Sequence, residues 1–241
     1  MRISVCMATY NGAEFLKEQL DSILKQLSAN DELIISDDGS TDATVKIIEA
    51  YQDDRIHLFH ANYGNLIYNF ENALKQAKGD LIFLSDQDDI WVADKVEKSV
   101  QHLKKYALVF SNANMFYDDN TSESKLFFED SKRKTGTLNN LVKVKFLGAT
   151  LAFRRSVLER ALPFPKHIPM HDVWLGLIAE TTASTMYIEE PLIYYRRHGN
   201  AASSTGGKSK NSLYSKLKMR GYLVIYLCKR VLFRNSKTTR F

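Results

Sequence analysis

Cysteine is scarce in this 241-residue chain: Cys6 and Cys228 stand at opposite ends. That excludes a disulfide framework and a cysteine zinc site, and it predicts a reducing, cytoplasmic setting. Long apolar runs are also missing. None approaches the roughly 18 residues that span a bilayer, and the most hydrophobic late stretch, 222–228, is far shorter. The apolar run within MRISVCMATYNG is too short for a secretory signal and no small-residue cleavage site follows it. Acidic residues are absent from Lys208 onward, where ten Lys and Arg occur. The preceding 207 residues carry 23 basic and 28 acidic side chains, a net of −5. A mildly acidic body with a basic tail is not the footprint of a nucleic-acid-binding surface. The hydrophobic content of 44% and charged content of 25% exclude a wholly disordered chain. The length suits one α/β domain with a short appendage.

What is present is an alternation of strand and helix patterns. Strand-length apolar runs cover Ile3 to Ala8, Glu32 to Ser36, Ile56 to His60, Leu81 to Ser85 and Leu108 to Ser111. Helical spacing covers Ala13 to Leu27, Asp42 to Tyr51, Ile67 to Ala77 and Asp94 to Tyr106, with Ser40 or Thr41 as a cap for the second and Gly79 closing the third. This order predicts a Rossmann-like, mostly parallel sheet flanked by helices, whose ligands bind beyond the carboxyl ends of the strands. The second half is less regular. Residues 117–136 read as a loop or excursion, Phe146 to Phe153 as an apolar segment, and Asp172 to Ala179 as a helix after Pro163, Pro165 and Pro169. Ile188 and Leu192 to Tyr195 read as short strands, and Ser203 to Ser212 as a linker.

Polar clusters follow three of the strands: Thr9-Tyr10-Asn11, Asp37-Asp38-Gly39 and Asp86-Gln87-Asp88-Asp89. Three carboxylates within four residues repel one another, and a hard divalent cation such as Mg²⁺ or Mn²⁺ relieves that repulsion while bridging phosphates. A solvated acidic turn is the bland alternative, and the position directly after a buried strand favours the metal. Asp37 to Asp42 fits either a nucleoside contact or a turn with a helix cap. Met170-His171-Asp172-Val173-Trp174 fits either a general base beside an aromatic sugar platform or a capped helix start over a core tryptophan. His167 and His171 lie four apart, but Pro169 between them rules against a helical metal pair. Arg196-Arg197-His198 offers an anion contact and a metal ligand, or a solvated basic turn. His57, His60 and His102 have no such company.

Taken in order, ATYNG, DDGSTD, SDQDDIW, GATLAFRR, HDVW and YYRRHGN resemble the inverting glycosyltransferases of family 2, which have the GT-A fold. SDQDDIW with HDVW is most similar to the bacterial rhamnosyltransferase-like members. The resemblance spans roughly residues 1–205, leaving 206–241 as an extension. It implies that Thr9, Tyr10 and Asp38, with Asp37, contact the nucleoside, and that Asp86 lies by the ribose or metal. It implies Asp88 and His198 on Mn²⁺ or Mg²⁺, with Asp89 a further ligand, and Arg196 at the diphosphate. Asp172 becomes the catalytic base, and Gly148, His171 and Trp174 fall on the acceptor side. The donor implied is dTDP-rhamnose or a UDP-hexose, and the acceptor a glycan or lipid-linked glycan of bacterial surface polysaccharide synthesis. The Gln-x-x-Arg-Trp motif and membrane helices of processive members are missing, which points to transfer of one sugar.

The extension mixes Leu, Tyr, Val, Ile and Phe with Lys and Arg over residues 213–234. Leu213, Leu217, Leu223 or Val224, Leu227 and Val231 share one helical face. A basic amphipathic helix of this kind suits an anionic membrane surface at the inner leaflet. It equally suits packing on its own domain or on a second subunit. Two rival functions stay open on sequence: a sugar nucleotidyltransferase, disfavoured because Thr9-Tyr10-Asn11-Gly12 is not a glycine-rich arginine loop, and a non-catalytic membrane scaffold.

Overall fold

The computed structural model describes residues 1–117, 124–128, 146–198 and 213–234. Most of the 117–136 excursion and the whole 203–212 linker lie outside the described residues, as do Gly199 and Asn200. The strands are β1 (Ile3–Thr9), β2 (Glu32–Asp37), β3 (Ile56–His60), β4 (Leu81–Ser85), β5 (Ile90–Trp91), β6 (Leu108–Tyr117), β7 (Lys125–Leu126), β8 (Leu151–Arg154) and β9 (Thr185–Arg197). The described helices are α1 (Leu16–Leu24), α2 (Thr44–Ala50), α3 (Leu66–Gln76), α4 (Lys95–Leu103), α5 (Arg155–Ala161), α6 (His171–Thr182) and α7 (Leu213–Arg234).

The strands form one sheet in the order β3-β2-β1-β4-β8-β6-β9-β5, with β7 on β6. β3, β2, β1 and β4 are mutually parallel. β8 runs antiparallel between β4 and β6, and β6 and β9 are parallel again. The expected mostly parallel sheet is therefore present, with β5, β7 and β8 reversed. The two short strands expected near 188–195 are one strand. Its register shifts where Asn112 faces Pro191, because proline has no N–H to give the ladder.

Alternation along β1 separates the two cores. Cys6 and Ala8 face a cluster built with Phe70 and Leu74 of α3, Val157 of α5, and Trp174 and Leu175 of α6. Val5 and Met7 face the opposite cluster, with Leu16 and Leu20 of α1, Ile48 of α2 and Val96 of α4. Gly79 lets the chain enter β4 close to β1. A Cβ there would lie 2.5 Å from the Ser4 nitrogen.

Two helix details differ from the sequence expectation. Asp42, rather than Ser40 or Thr41, receives the first N–H of α2, through its contact with Thr44. Ser40 is drawn back to Asp37 instead. The basic α7 packs on its own domain: Leu223 and Leu227 are buried in the first core, and Arg230 donates to the carbonyls of Leu162 (2.9 Å) and Pro163. Val224 faces outward. The side chains of Leu213 and Leu217 lie outside the described residues. No described helix is long and apolar enough to cross a membrane.

This topology fixes where a ligand goes. From β1 the chain first builds outward to β2 and β3, then returns through α3 to β4 on the other side of β1. The crevice therefore opens beyond the carboxyl ends of β1 and β4, where the direction of sheet growth reverses. The four residues 86–89 also connect β4 to β5, which sit four strand positions apart. Four interstrand spacings in a flat sheet total about 19 Å, more than the about 18 Å that the five steps from Ser85 to Ile90 can reach, so the sheet must curl to bring β5 towards β4.

Candidate active site

A cleft of about 700 Å³ opens at that crevice. The β1 loop lines it through Thr9, Tyr10 and Gly12, the β4 loop through Asp86, Gln87 and Asp88, and β9 through Tyr195 with His198 just beyond. Asp38, Asn65 and Asn69 close its far side. Sequence elements nearly 190 residues apart thus share one cavity.

The floor is held by hydrogen bonds that use up some of the expected ligand contacts. The Thr9 hydroxyl donates to Asp37 at 2.8 Å, and its carbonyl accepts the Asp38 N–H and the Asn69 side-chain amide, so Thr9 holds the cleft floor together. Asp37 is 1% exposed and accepts from Thr9 and from both the N–H and hydroxyl of Ser40. This corrects its expected nucleoside role: Asp37 is a brace between the β1 and β2 loops. Asp38 lines the cleft, and its two oxygens accept the backbone N–H groups of Tyr63 and Asn65, ordering the loop before α3. Asn65 in turn caps α3 through the N–H groups of Ile67 and Tyr68. Tyr10 is 58% exposed at the rim. The Gln87 amide pairs with both the N–H and the carbonyl of Tyr10, clipping the two loops together over Gly12.

The acidic run divides by direction. Asp86 and Asp88 face the cleft. Asp89 is fully buried and accepts the Arg196 N–H at 3.1 Å, which makes it an anchor to β9 rather than a metal ligand. Burial, then the charges of Asp88 and Asp172, push Asp86 up to about 7. His198 Nε2 lies 2.8 Å from an Asp88 oxygen, with the Phe15 ring at 4.7 Å.

Arg196 departs from expectation. It is 3% exposed, with its guanidinium 4.7 Å from both the Phe15 and Phe116 rings. Nε donates to the Asp88 carbonyl at 2.9 Å, and the far nitrogen pairs with Glu18. The fork is committed behind the acidic loop, so Arg196 positions Asp88 instead of reaching a diphosphate.

The acceptor-side residues sit on the adjoining wall. Asp172 is in the first turn of α6 and 8% exposed, with one oxygen accepting the Val173 N–H at 2.7 Å. Burial raises it to about 6, against the pull of backbone N–H groups that include Gly148. A Cβ on Gly148 would come within 3.1 Å of His171 Nε2 and 3.5 Å of the Asp172 Cβ, so glycine allows the turn to sit against this helix start. His171 and Trp174 are corrections to the expected acceptor platform. Trp174 is fully buried with its indole N–H on the Ala161 carbonyl. His171 stacks on Phe70 at 3.9 Å, and burial pushes it down to about 3, so it stays neutral.

The model of glycosyl transferase family 2 matches residues 4–162. The chain belongs to glycosyl transferase family 2. It is 31% identical over 187 residues to the UDP-Glc:alpha-D-GlcNAc-diphosphoundecaprenol beta-1,3-glucosyltransferase WfgD of Escherichia coli, covering 76% of this chain and 72% of the relative. It is 30% identical to the dTDP-rhamnosyl transferase RfbG of Shigella flexneri, covering 80% and 72%. Among solved structures it is similar to Staphylococcus aureus TarS 1–349 in complex with UDP-GlcNAc (TM-score 0.74, 20% identity, 93% of this chain and 67% of that one). It is also similar to the Pyrobaculum calidifontis mannosyltransferase PcManGT with GDP-Man and Mn²⁺ (TM-score 0.61, 20% identity, 94% and 69%). These two likenesses concern the fold, and they bear out the expected GT-A architecture.

The donor set of this glycosyltransferase fits a hard divalent cation. Among the described residues no three His, Cys, Asp or Glu side chains converge on one point. Mn²⁺ and Mg²⁺ are commonly held by one or two carboxylates with phosphate oxygens completing the shell, so a half-site of Asp88 with His198, beside Asp86, suffices. Crowded, cleft-facing carboxylates are the oxygen donors such an ion prefers.

Sequence reading missed Lys95. It is 1% exposed, yet its Nζ donates to the Ala149 carbonyl at 2.6 Å and lies 4.4 Å from the centre of the Trp91 ring. Burial lowers it to about 7 against the opposing charges of Asp89 and Asp86. In WVADKVEKSV nothing separates it from exposed neighbours such as Glu97. Gln87 was likewise unassigned, although its place inside the acidic run marked it.

Proposed function

We propose that this glycosyltransferase transfers a single sugar, with inversion, from a nucleoside-diphosphate donor to a hydroxyl of a lipid-linked glycan. One observation carries the reading: Asp172, from the second half of the chain, lies close enough to Asp86, from the β4 loop, for its charge to raise that carboxyl. The candidate base and the candidate donor-holding loop are therefore neighbours, which supports the reading. The names of the Escherichia coli and Shigella flexneri relatives support a UDP-hexose or dTDP-rhamnose donor and a polyprenyl-diphosphate-linked acceptor in surface polysaccharide synthesis.

In this mechanism the nucleoside lies between the β1 loop and the Asp38-ordered segment, against Tyr10. Asp88 and His198, with Asp86, would hold Mn²⁺ or Mg²⁺, which would supply positive charge for the departing diphosphate. Asp172 takes the proton from the acceptor hydroxyl as that oxygen attacks the anomeric carbon opposite the diphosphate. A carboxyl raised by burial is a stronger base once ionised, which suits the task. The enzyme would act peripherally at an anionic membrane. Lys218, Gly221, Val224, Ile225, Cys228 and Lys229 form the exposed face of α7, apolar at its centre with amines at both ends.

Asp172→Asn tests the base. The variant should bind UDP or dTDP with Mn²⁺ as the wild type does while losing transfer by about 10³-fold or more. Full transfer by the variant would remove Asp172 from this role.

A further inference from the structure

Among the described residues, Lys95 is the one large cationic side chain in the fully buried set. Its position would accept methionine or leucine on packing grounds, and an amine there carries a desolvation cost that an apolar residue avoids. Two contacts identify what the amine does. Its hydrogen bond to Ala149 grips the middle of the Gly148–Thr150 turn, the turn that packs on His171 and Asp172. Its charge faces Asp86 and Asp89, which act on it in return. The Trp91 ring below fixes the ammonium's height, and Trp91 is itself set in the strand that follows the acidic run.

We infer that Lys95 is a positioning residue that ties the acceptor-side turn Gly148–Thr150 to Trp91, just after the donor-holding run Asp86–Asp89, and so sets the distance between Asp172 and the donor. The inference rests on the proposed transfer reaction for its functional consequence, and its structural content stands apart from it. The turn is buried, and Thr150 closes it locally on the Leu147 carbonyl through both its N–H and its hydroxyl. Lys95 provides a tie from the other side of the sheet, since α4 belongs to the second core while α6 belongs to the first. Losing it leaves each wall folded and frees their separation.

The test uses the full chain with Lys95→Met, which keeps the stem's packing, and Lys95→Arg, which keeps a donor and a charge. Hydrogen exchange read by mass spectrometry should show faster exchange in Lys95→Met confined to segments 86–91, 147–152 and 171–174, with the remaining sheet protected as in the wild type and partial recovery in Lys95→Arg. With whichever of UDP-glucose and dTDP-rhamnose the wild type turns over, Lys95→Met should lower transfer about 10- to 100-fold. Mn²⁺-dependent donor hydrolysis, which needs the donor-holding run but no acceptor wall, should fall less than transfer does. Uniformly faster exchange, unchanged exchange in the three segments, or parallel loss of transfer and hydrolysis would overturn the inference. A wild type that hydrolyses neither donor would count against the proposed function, and the exchange pattern would still decide the role of Lys95.

Discussion

Replacing Asp86 by asparagine should make the metal-free protein more stable while removing its function. Asp86 is held at about 7 against an ordinary 3.8, first by burial and then by Asp88 and Asp172. Between those two values the folded protein keeps a proton that the unfolded chain has released. Stability therefore falls as pH rises through that window, and the whole penalty is present above pH 7. A shift of this size corresponds to about 4 kcal/mol. Asp86 keeps some solvent contact and shares its raised value with two neighbours, so about 1–3 kcal/mol is expected from the substitution. For a domain of this length that raises the melting temperature by about 3–10 °C at pH 8. At pH 5, little more than a third of the way up that window, the difference should shrink to roughly two fifths of its value at pH 8. Thermal melts in EDTA at pH 5 and pH 8 measure both. Adding Mn²⁺ with UDP or dTDP should reverse the ranking, because ligand at a hundredfold excess over its Kd stabilises the wild type by about 2.7 kcal/mol. An Asp86→Asn protein that melts lower than wild type at pH 8 without metal, or an equal difference at both pH values, would refute the reasoning.

Two further outcomes follow from the same geometry. Asp172, raised to about 6 by burial, must be ionised to act as a base, so transfer should fall as pH drops through about 6 and be about tenfold lower at pH 5; a rate flat from pH 5 to 8 would contradict this. On α7, Leu227→Ala should cost about 2–4 kcal/mol of stability because Leu227 is buried. Ile225→Asp, on the outward face, should leave the melting temperature unchanged and abolish flotation with anionic vesicles, and vesicle binding equal to wild type would remove the membrane surface from the proposal.

Local pattern carried a large part of this protein. The apolar runs of β1, β2, β3 and β4 alternate or stay apolar because both sheet faces are covered, and helices with a 3.6-residue period lie between them. The boundaries moved inward, as with α1, where Leu16–Leu24 replaces a longer expected span, because flanking residues turn into the site loops. The clusters after β1, β2 and β4 were visible because parallel strands deliver their carboxyl ends to one edge. β5 was not visible: two residues have no periodicity, and its existence depends on β9 arriving beside it.

Residue type and order along the chain determined the fold class, the acidic run, the candidate base and the family. Which carboxylates face the cleft was decided only by the tertiary structure. Asp37 and Asp38 are adjacent, as are Asp88 and Asp89, yet in each pair one side chain turns inward to brace a loop and the other lines the cavity. Arg196 and Lys95 show the same limit. A cation reads as solvated or ligand-binding in a sequence, whereas here the packing of distant segments buries both and commits their donors to the Asp88 and Ala149 carbonyls. Burial and hydrogen-bond partners depend on chain segments up to 178 residues apart, and no local window contains that information.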